Sequence, residues 1–387
     1  MSEWKKVKLG EISKAIQTGP FGSQLHQSDY SEEGTPVVMP KDIIAGNIEE
    51  FSTARVEQNH VDRLSRHKIS YGDILYARRG DVGKCAFTKR KQVGWLCGTG
   101  CLRVTINSNI ANPKFVFFQL QKQESIGWVT NHAIGSTMLN LNTSILSDIP
   151  IEVPPLLIQN RIVDILSRYD SLIENYQKQI KLLEEAAQRL YKEWFVDLHF
   201  PDHENTKIVD GVPEGWTPSL LGQLAEFKRG KTITKKDAIE GDIPVVAGGL
   251  EPAYYCNKSN TAERVITVSG SGANAGFTRM YFENVWASDC SFVDASTTPF
   301  LHFVFCYLKE NKTTIDNMQK GAAQPHVYAK DINSLELCIP IESVLKSFEG
   351  KASKYFDSIS SLQSQIRLLV EARDRLLPKL MNGEIEI

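Results

Sequence analysis

The chain has 387 residues, of which 42% are hydrophobic and 23% charged, which is ordinary for a globular protein and enough for two or three domains with hydrophobic cores. Lys and Arg total 44 against 46 Asp and Glu, so the overall charge does not by itself indicate nucleic-acid binding, which has to rest on local clusters. No apolar run approaches the roughly 20 residues of a membrane span and no apolar signal core follows the N-terminus, so we expect a cytoplasmic protein without membrane partners.

Residues 1–154 are predicted to form a mixed α+β domain. Strand-like stretches separated by glycine-rich turns lie at residues 35–39, 73–77, 101–106 and 149–153. A helix is predicted from about Pro113 to Ile126, because a proline opens it and apolar residues follow at helical spacing. Pro154 and Pro155 end the last strand and are accepted in the first turn of a following helix.

Residues 155–200 are predicted to contain one long helix that ends near Phe195. Apolar residues recur in alternating steps of four and three, which is the a/d pattern of a coiled coil. These residues are Ile162, Leu166, Tyr169, Ile173, Tyr176, Ile180, Leu183, Ala187, Leu190 and Trp194. At a rise of about 1.5 Å per residue, the pattern predicts a rod about 50 Å long.

The end of the chain repeats this helix. Between residues 167–190 and 353–376, 12 of 24 positions are identical at a constant offset of 186, which indicates an internal duplication rather than shared helix composition. A single helix of this kind is usually a core helix or one half of a homodimeric coiled coil. Two copies in one chain give the a/d face of each helix, here called its seam, a partner within the same chain. We therefore predict that residues 341–387 form a second long helix packed antiparallel on the first.

Residues 201–340 are predicted to hold a linker and a second α+β domain. Proline and glycine residues mark residues 201–216 as the linker. The pattern Trp-x4-Leu-Gly that starts at Trp4 starts again at Trp216, an offset of 212, and the offset later settles at 186, so the second domain is 26 residues shorter. The predicted fold class is therefore α+β. Two similar globular domains are joined and separated by two long helices in an antiparallel intramolecular coiled coil, a pseudo-two-fold internal repeat.

Two features near the ends of the helices carry further expectations. Trp4, Trp194 with Phe195, and Trp216 are predicted to anchor the domains to the helices. Arg373 occupies an a/d position of the second helix. The second seam is therefore either looser than the first, or Arg373 meets a carboxylate across it.

Several short motifs accompany this repeated order of domain and helix. They are residues 18–23 with Asp29-Tyr30 and Pro36-Val37-Val38; residues 75–80 with Gly83; Ser288-Asp289-Cys290; and residues 149–155 with Gln159. With the two long helices they resemble the DNA-specificity subunit of type I restriction-modification systems over essentially the whole chain. The resemblance implies two target-recognition domains, each recognising one half of an asymmetric bipartite site in double-stranded DNA, with the helices setting the gap.

The resemblance also implies partner subunits. Two methyltransferase (modification) subunits would carry the S-adenosylmethionine chemistry, and a restriction/motor subunit would complete the complex, so no cofactor is expected in this chain. Docking is expected at the junctions of domains and helices, including residues 135–137, and on the outer helix faces.

Candidate DNA contacts are side chains that pair with bases or phosphates. Arg or Lys pairs with guanine and Asn or Gln with adenine, while Lys, Arg, hydroxyls and backbone amides hold phosphates. In the first domain the candidates are Ser23, Arg78, Arg79, Lys84, Lys89 and Arg90. In the second domain they are Lys228, Arg229, Lys231, Lys235, Lys236, Ser271, Asn274, Gln324, His326 and Tyr328. A charge run is more often only a solvated face, so the duplicated frame is what favours these residues.

An enzyme is the first alternative. Residues 112–115 lack the second proline of a base methyltransferase tetrapeptide, and residues 269–276 lack the Lys-Ser/Thr of a P-loop. Asp202 and Glu204 lie in the predicted linker, which does not preorganise a metal-held hydrolytic site. The seven cysteines are scattered and predict buried free thiols. Catalysis is therefore not expected in this chain.

A non-catalytic coiled-coil scaffold protein of a multi-subunit DNA-processing complex is the second alternative. It predicts absent or salt-insensitive DNA affinity, whereas phosphate contacts predict an affinity that falls steeply with salt. If the helices set the gap, adding or deleting four residues in them should alter recognition while both domains stay folded.

Overall fold

The computed structural model describes residues 4–50, 53–135, 139–321, 325–385 and 387. The chain divides into two compact units. Unit 1 holds Met1–Leu172 and Leu368–Ile387, and unit 2 holds Ile173–Arg367. Each of the two long helices therefore contributes a segment to both units.

Unit 1 combines short strands with short helices. Its strands are β1 (Lys5–Lys8), β2 (Ser13–Thr18), β3 (Tyr30–Ser31), β4 (Thr35–Val38), β5 (Ile43–Ile44), β6 (Asn47–Ile48), β7 (Ala54–Val56), β8 (Ile74–Ala77), β9 (Cys85–Phe87), β10 (Leu96–Cys97), β11 (Cys101–Ile106) and β12 (Pro150–Val153). Its helices are α1 (Gln58–Arg63), α2 (Pro113–Leu120), α3 (Gln123–His132) and α4 (Thr143–Ser147), and α5 (Leu156–Tyr191) begins here and ends in unit 2.

The main sheet of unit 1 is antiparallel, with strand order β2-β11-β8-β9, and a second sheet has the order β10-β4-β7-β3. Strand β8 is buried along its whole length, because Ile74 and Tyr76 join one core cluster while Leu75 joins another. A strand covered on both faces has a nearly continuous apolar sequence, which is the pattern seen at residues 73–77.

The helix expected from Pro113 to Ile126 is two helices, so this prediction was wrong in length. Helix α2 starts as expected, with Pro113 in its first turn, but it ends at Leu120, and the backbone at Lys122 is extended before α3 begins. The physical reason is that the apolar face ends at Leu120. Gln119 then uses its side-chain amide to donate to the carbonyls of Glu152 (3.0 Å) and Met381 (3.3 Å).

Unit 2 contains the remaining elements. Its strands are β13 (Ile208–Val209), β14 (Val212–Pro213), β15 (Thr217–Leu220), β16 (Lys228–Arg229), β17 (Ile243–Val246), β18 (Tyr254–Cys256), β19 (Val265–Ser269), β20 (Thr278–Tyr281), β21 (Trp286–Ala287), β22 (Cys290–Asp294) and β23 (Glu336–Ile339). Its helices are α6 (Leu221–Leu224), α7 (Leu301–Glu310), α8 (Lys312–Asn317) and α9 (Ala329–Asn333), and α10 (Glu342–Met381) begins here and ends in unit 1.

Unit 2 repeats the architecture of unit 1. The sheet β16-β22-β19-β20 corresponds to β2-β11-β8-β9, and β15 pairs with β23 as β1 pairs with β12. The strand registers also agree. Lys5 pairs with Val153, and their counterparts at offsets of 212 and 186, Thr217 and Ile339, pair with each other. The predicted internal repeat is therefore confirmed.

Helices α5 and α10 pack antiparallel within each unit. In unit 1 the start of α5, at Ile162, shares a buried cluster with the end of α10, at Leu380. In unit 2 the segment that follows α5 packs on the start of α10, where the rings of Trp194 and Phe348 lie 5.9 Å apart. All ten predicted a/d residues of the first helix are buried or half-buried, so the predicted seam is confirmed.

The tryptophans at the junctions anchor the units to their helices, as expected. In unit 1 the ring of Trp4 lies 6.0 Å from that of Phe115, and both belong to the cluster that includes the end of α10. In unit 2 Trp216 packs on Phe195 (5.9 Å) and Phe200 (5.0 Å). The segment expected as a linker contains the small hairpin β13-β14 between these two anchors.

Candidate nucleic-acid interface

In unit 1 the turn after β8 is hydrogen-bonded to the loop before α4. The amide of Gly80 donates to the carbonyl of Leu139 (3.2 Å), and the amide of Leu141 donates to the carbonyl of Arg78 (2.8 Å). Between them Arg79 and Asn140 form an antiparallel bridge. We call residues 78–80 against residues 139–141 the first ladder. Leu141 is buried, so the ladder presents its side chains from a fixed backbone.

Two neighbouring arginines of the first ladder have different surroundings. Arg78 is half-buried, and its guanidinium lies over the ring of Phe21, 5.9 Å from the ring centroid. Arg79 is exposed, and its side chain has no ion-pair or hydrogen-bond partner among the described residues. Arg79 is therefore available to a ligand, whereas Arg78 is partly held by the protein.

Ser23 is distant from this ladder in sequence and is exposed on the turn that presents Phe21. The turn is closed by hydrogen bonds from the amide of Phe21 to the side chain of Gln24 (3.1 Å) and from the amide of Gln24 to the carbonyl of Phe21 (2.8 Å). Phe21 is 52% exposed although it is a large apolar residue. The turn thus presents an apolar ring beside Arg78 and carries an exposed serine two residues further along the chain.

The remaining basic candidates of unit 1 lie at opposite ends of the hairpin β8-β9. Lys84 ends the turn at the ladder and forms an exposed ion pair with Asp81 (3.0 Å). Lys89 and Arg90 follow β9 at its far end, where the guanidinium of Arg90 lies 5.1 Å from the ring centroid of Tyr71. The structure therefore joins Lys84, but not Lys89 and Arg90, to the ladder.

Unit 2 has the same arrangement after β19. The amide of Gly272 donates to the carbonyl of Pro325 (3.0 Å), the amide of Val327 donates to the carbonyl of Gly270 (3.1 Å), and Ser271 and His326 form the bridge between them. We call residues 270–272 against residues 325–327 the second ladder. Val327 is buried as Leu141 is. Gln324, another candidate contact, lies outside the described residues, as do Ser136 and Thr137 of the expected docking segment.

Ser271 and Asn274, two described polar residues at the second ladder, already have hydrogen-bond partners. The hydroxyl of Ser271 donates to the carboxylate of Asp289, and the side-chain amide of Asn274 donates to the carbonyl of Gly248 (3.4 Å). The ring of His326 stacks on that of Tyr328 at 5.9 Å with an interplanar angle of 11°. Tyr328 remains 39% exposed. The residues of the second ladder themselves include no Lys or Arg, whereas those of the first include Arg78 and Arg79.

The basic candidates of unit 2 are joined to this ladder through residues 287–290. The amide of Gly230 donates to the carbonyl of Cys290 (2.8 Å), and that of Lys231 donates to Ala287 (2.9 Å). The amide of Gly270 donates to the carbonyl of Asp289 (3.2 Å). The structure therefore brings the basic strand and the second ladder together.

Five cationic side chains of this region share one property. They are exposed and form no ion pair with a described residue, in contrast to the many paired cations on the helices. They are Lys228, Arg229, Lys231, Lys235 and Lys236. Lys235 and Lys236 lie in a turn that Thr234 closes by donating to Asp237 (2.5 Å). Exposed, unpaired cations on a strand and a neighbouring turn are suited to phosphate contacts.

Sequence reasoning missed Asn140 and Phe21. Asn140 is the counterpart of His326, because 326 minus 186 is 140. Each of the two residues also makes a second bridge, Asn140 to Ile134 and His326 to Lys320, which lie at the same offset. Subtracting the repeat offset of 186 from the candidate His326 would have identified Asn140 from the sequence. No comparable signal points to Phe21, since its contact with Arg78 depends on how the chain folds.

Other chemistry finds no support at these surfaces. The cysteines are free, and all except the half-buried Cys338 are buried. Burial raises the pKa of Cys97 to about 12, which keeps its thiol protonated and inert. Within the described ranges, no cluster of three His, Cys, Asp or Glu side chains is arranged to hold a metal ion. No described helix is both long and apolar enough to span a membrane.

Comparison with known proteins agrees with the repeated fold. The family model described as the type I restriction modification DNA specificity domain matches residues 1–185 and again residues 213–367. The chain therefore belongs to this family, whose function is DNA specificity in type I restriction-modification.

Individual relatives match over the whole chain. The type I restriction enzyme MjaIX specificity subunit of Methanocaldococcus jannaschii is 25% identical over 100% of this chain and 94% of its own length. The HindI specificity subunit of Haemophilus influenzae is 23% identical over 100% of both. The crystal structure of the S subunit from M. genitalium has a TM-score of 0.59 and 17% identity, covering 97% of this chain and 96% of that one, so the two share a fold.

Proposed function

We propose that each unit recognises one half of an asymmetric bipartite site in double-stranded DNA, and that the two long helices set the gap between the halves. One observation carries this proposal. The two ladders have the same backbone hydrogen bonds but different side chains, Arg79 with Asn140 in one and Ser271 with His326 in the other. A shared frame with different polar side chains is what two readers of different base sequences require.

The target-recognition domains would be residues 1–154 and 201–340, the second including its linker, with the long helices at residues 155–200 and 341–387. Affinity would come largely from phosphate contacts of the unpaired cations of unit 2, together with the exposed hydroxyl of Ser23 in unit 1. Linking two half-site readers in one chain raises affinity by effective concentration, provided that the gap fits.

This chain would recognise DNA without catalysing a reaction, as the naming of its relatives as specificity subunits suggests. It would assemble with two methyltransferase subunits, which would supply S-adenosylmethionine chemistry, and with a restriction/motor subunit. The outer faces of α5 and α10 are the surfaces we propose for docking, because Leu157 and Leu182 of α5 are exposed at 64% and 61% and Leu368 of α10 at 62%.

The test is a map of methylated bases in the source genome, compared between the intact strain and one lacking this chain. Loss of a single asymmetric motif, with two short specified halves and an unspecified gap, is the expected result. An unchanged methylation pattern in the presence of an active methyltransferase partner would contradict the proposal and favour a scaffold role.

A further inference from the structure

Corresponding positions of the two ladders present different side chains from the same backbone. Arg79 and Ser271 occupy one position, and Asn140 and His326 occupy the facing one. Each pair is flanked by the same two backbone hydrogen bonds, with lengths between 2.8 and 3.2 Å. A substitution at these positions therefore changes the chemistry of the surface while the backbone position of the residue stays the same.

The two side chains at the first of these positions differ in what they can bind. Arg79 is exposed and has no described partner, so its guanidinium is free to present parallel N–H donors. Such a pair of donors matches the O6 and N7 acceptors of guanine in the major groove. The Ser271 hydroxyl already donates to Asp289 and has only one proton to give.

The first ladder also has unmet hydrogen-bonding capacity. Arg78 Nε and Asn140 Oδ1 are buried without partners, whereas no side-chain atom of the second ladder's described residues is in this state. Unpaired buried polar atoms are uncommon in folded proteins because each is costly. Both atoms lie on the ladder that carries Arg79, and they distinguish it from the second ladder.

We infer that Arg79 recognises a guanine in the half-site of unit 1, and that Ser271 leaves unit 2 without this means of recognition. The inference rests on the proposed function and adds to it a base identity and the residue that selects it. Part of the difference between the two half-sites is thus set by one pair of corresponding positions.

The test uses the full chain in complex with its methyltransferase subunits. Duplexes are selected from a library in which both half-sites are randomised, with wild type and with Arg79→Ser, which copies the second ladder. Wild type should require guanine at one position, and the variant should lose roughly 10- to 100-fold of that preference there and nowhere else. Replacing that guanine by 7-deazaguanine should weaken wild type but not the variant.

Two further variants separate base recognition from charge and from folding. Arg79→Lys keeps the charge but not the fork of donors, so it should lose most of the guanine preference while keeping most of the affinity. Lys6→Ser removes an exposed lysine of β1 that is paired with Glu152 (3.3 Å) and is not a candidate contact, so it should leave the selected sequence unchanged. If Arg79→Ser weakened all sequences equally, Arg79 would be a phosphate contact and the inference would be overturned.

The outcomes also distinguish the inference from the function on which it rests. A bipartite motif that Arg79→Ser leaves unchanged would remove the inference alone. A wild-type complex that selected no motif would remove the proposed function together with the inference.

Discussion

The guanidinium of Arg373 lies 3.2 Å from a carboxylate oxygen of Asp170, across the helical seam of unit 1. The ammonium of Lys114 lies 3.0 Å from the other oxygen, so one carboxylate faces two cations. Burial opposes the charge on Arg373, but hydrogen bonds to Asp374 and Asp170 raise its pKa. Of the two expectations for this a/d position, the carboxylate across the seam is confirmed.

This arrangement predicts that Asp170→Ala destabilises unit 1. The side chains of Arg373 and Asp170 are each 30% exposed, so the substitution would leave Lys114 partly buried without its counter-charge and would leave Arg373 with Asp374 alone. We expect the free energy of unfolding to fall by about 1–3 kcal/mol, measured by urea denaturation.

Two variants control this measurement. Replacing both Asp170 and Arg373 by leucine should recover only the part of the loss that comes from Arg373, because an apolar pair often substitutes for a partly buried ion pair without cost, whereas Lys114 still lacks its counter-charge. Arg375→Ala breaks an exposed pair with Glu371 on the same helix and should cost less than about 0.5 kcal/mol. A loss for Arg375→Ala as large as that for Asp170→Ala would show that the seam position is not what matters.

The fold was predictable because its main features are periodic or repeated in the sequence. The a/d series from Ile162 to Trp194 and the offset of 186 predicted the paired helices and the second unit. The break after Leu120 was not predicted, since Gln119 bonds to carbonyls that are distant in sequence. Local periodicity carries no information about such partners.

The candidate site was predictable only in part, for the same reason. The basic runs identified Arg79 and the cations near Lys228, but the bridge between Arg79 and Asn140 joins segments that are far apart in the chain. The structure also shows that Lys84 lies at the ladder while Arg90 lies at the other end of a hairpin. Two basic residues that are only six positions apart in the sequence are thus separated in the structure, because strand β9 lies between them.

The helices are predicted to determine the gap in the DNA site. Inserting four residues into both α5 and α10 at matched positions adds about 6 Å at 1.5 Å per residue. This is on the order of two base-pair steps of 3.4 Å. We expect recognition at the original gap to be lost while far-ultraviolet circular dichroism stays helical, as measured by binding to duplexes of graded gap length.

The matched control is a four-residue insertion between Asp210 and Gly211, in the turn of the hairpin β13-β14. This turn is exposed and outside the helices, so the preferred gap should not change. Unaltered recognition at the original gap by the helix variant would remove the proposed role of the helices in spacing.

The unpaired cations of unit 2 predict the salt dependence of binding. If Lys235 and Lys236 contact phosphates, changing both to glutamine should reduce the slope of log affinity against log salt by about two. The selected sequence should stay the same, because phosphate contacts carry no base information. Lys312→Gln provides the control, since Lys312 forms an ion pair with Asp316, and it should leave the slope unchanged. A slope unaffected by the double change would exclude this turn from the interface.

The buried thiols predict a loss of stability in alkali. Burial raises the pKa of Cys97 from 9.0 to about 12, and that of Cys85 likewise to about 12. Between pH 9 and pH 12 the unfolded chain releases thiol protons that the native chain retains. The contribution of these thiols to the free energy of unfolding is therefore fully present below about pH 9 and is lost as the pH rises towards 12. Each such thiol contributes up to about 1.4 kcal/mol per pH unit in this window.

The thiol contribution is measured from urea denaturation at several values of pH between 8 and 11. Cys97→Ala removes one raised group, so its stability should fall less steeply with pH than that of wild type, whatever its stability at pH 8. Cys338→Ala should change the slope less, because Cys338 is only half-buried. Parallel pH profiles for wild type and Cys97→Ala would mean that other groups cause the alkaline loss, with Tyr281, whose pKa burial also raises to about 12, as the next residue to substitute.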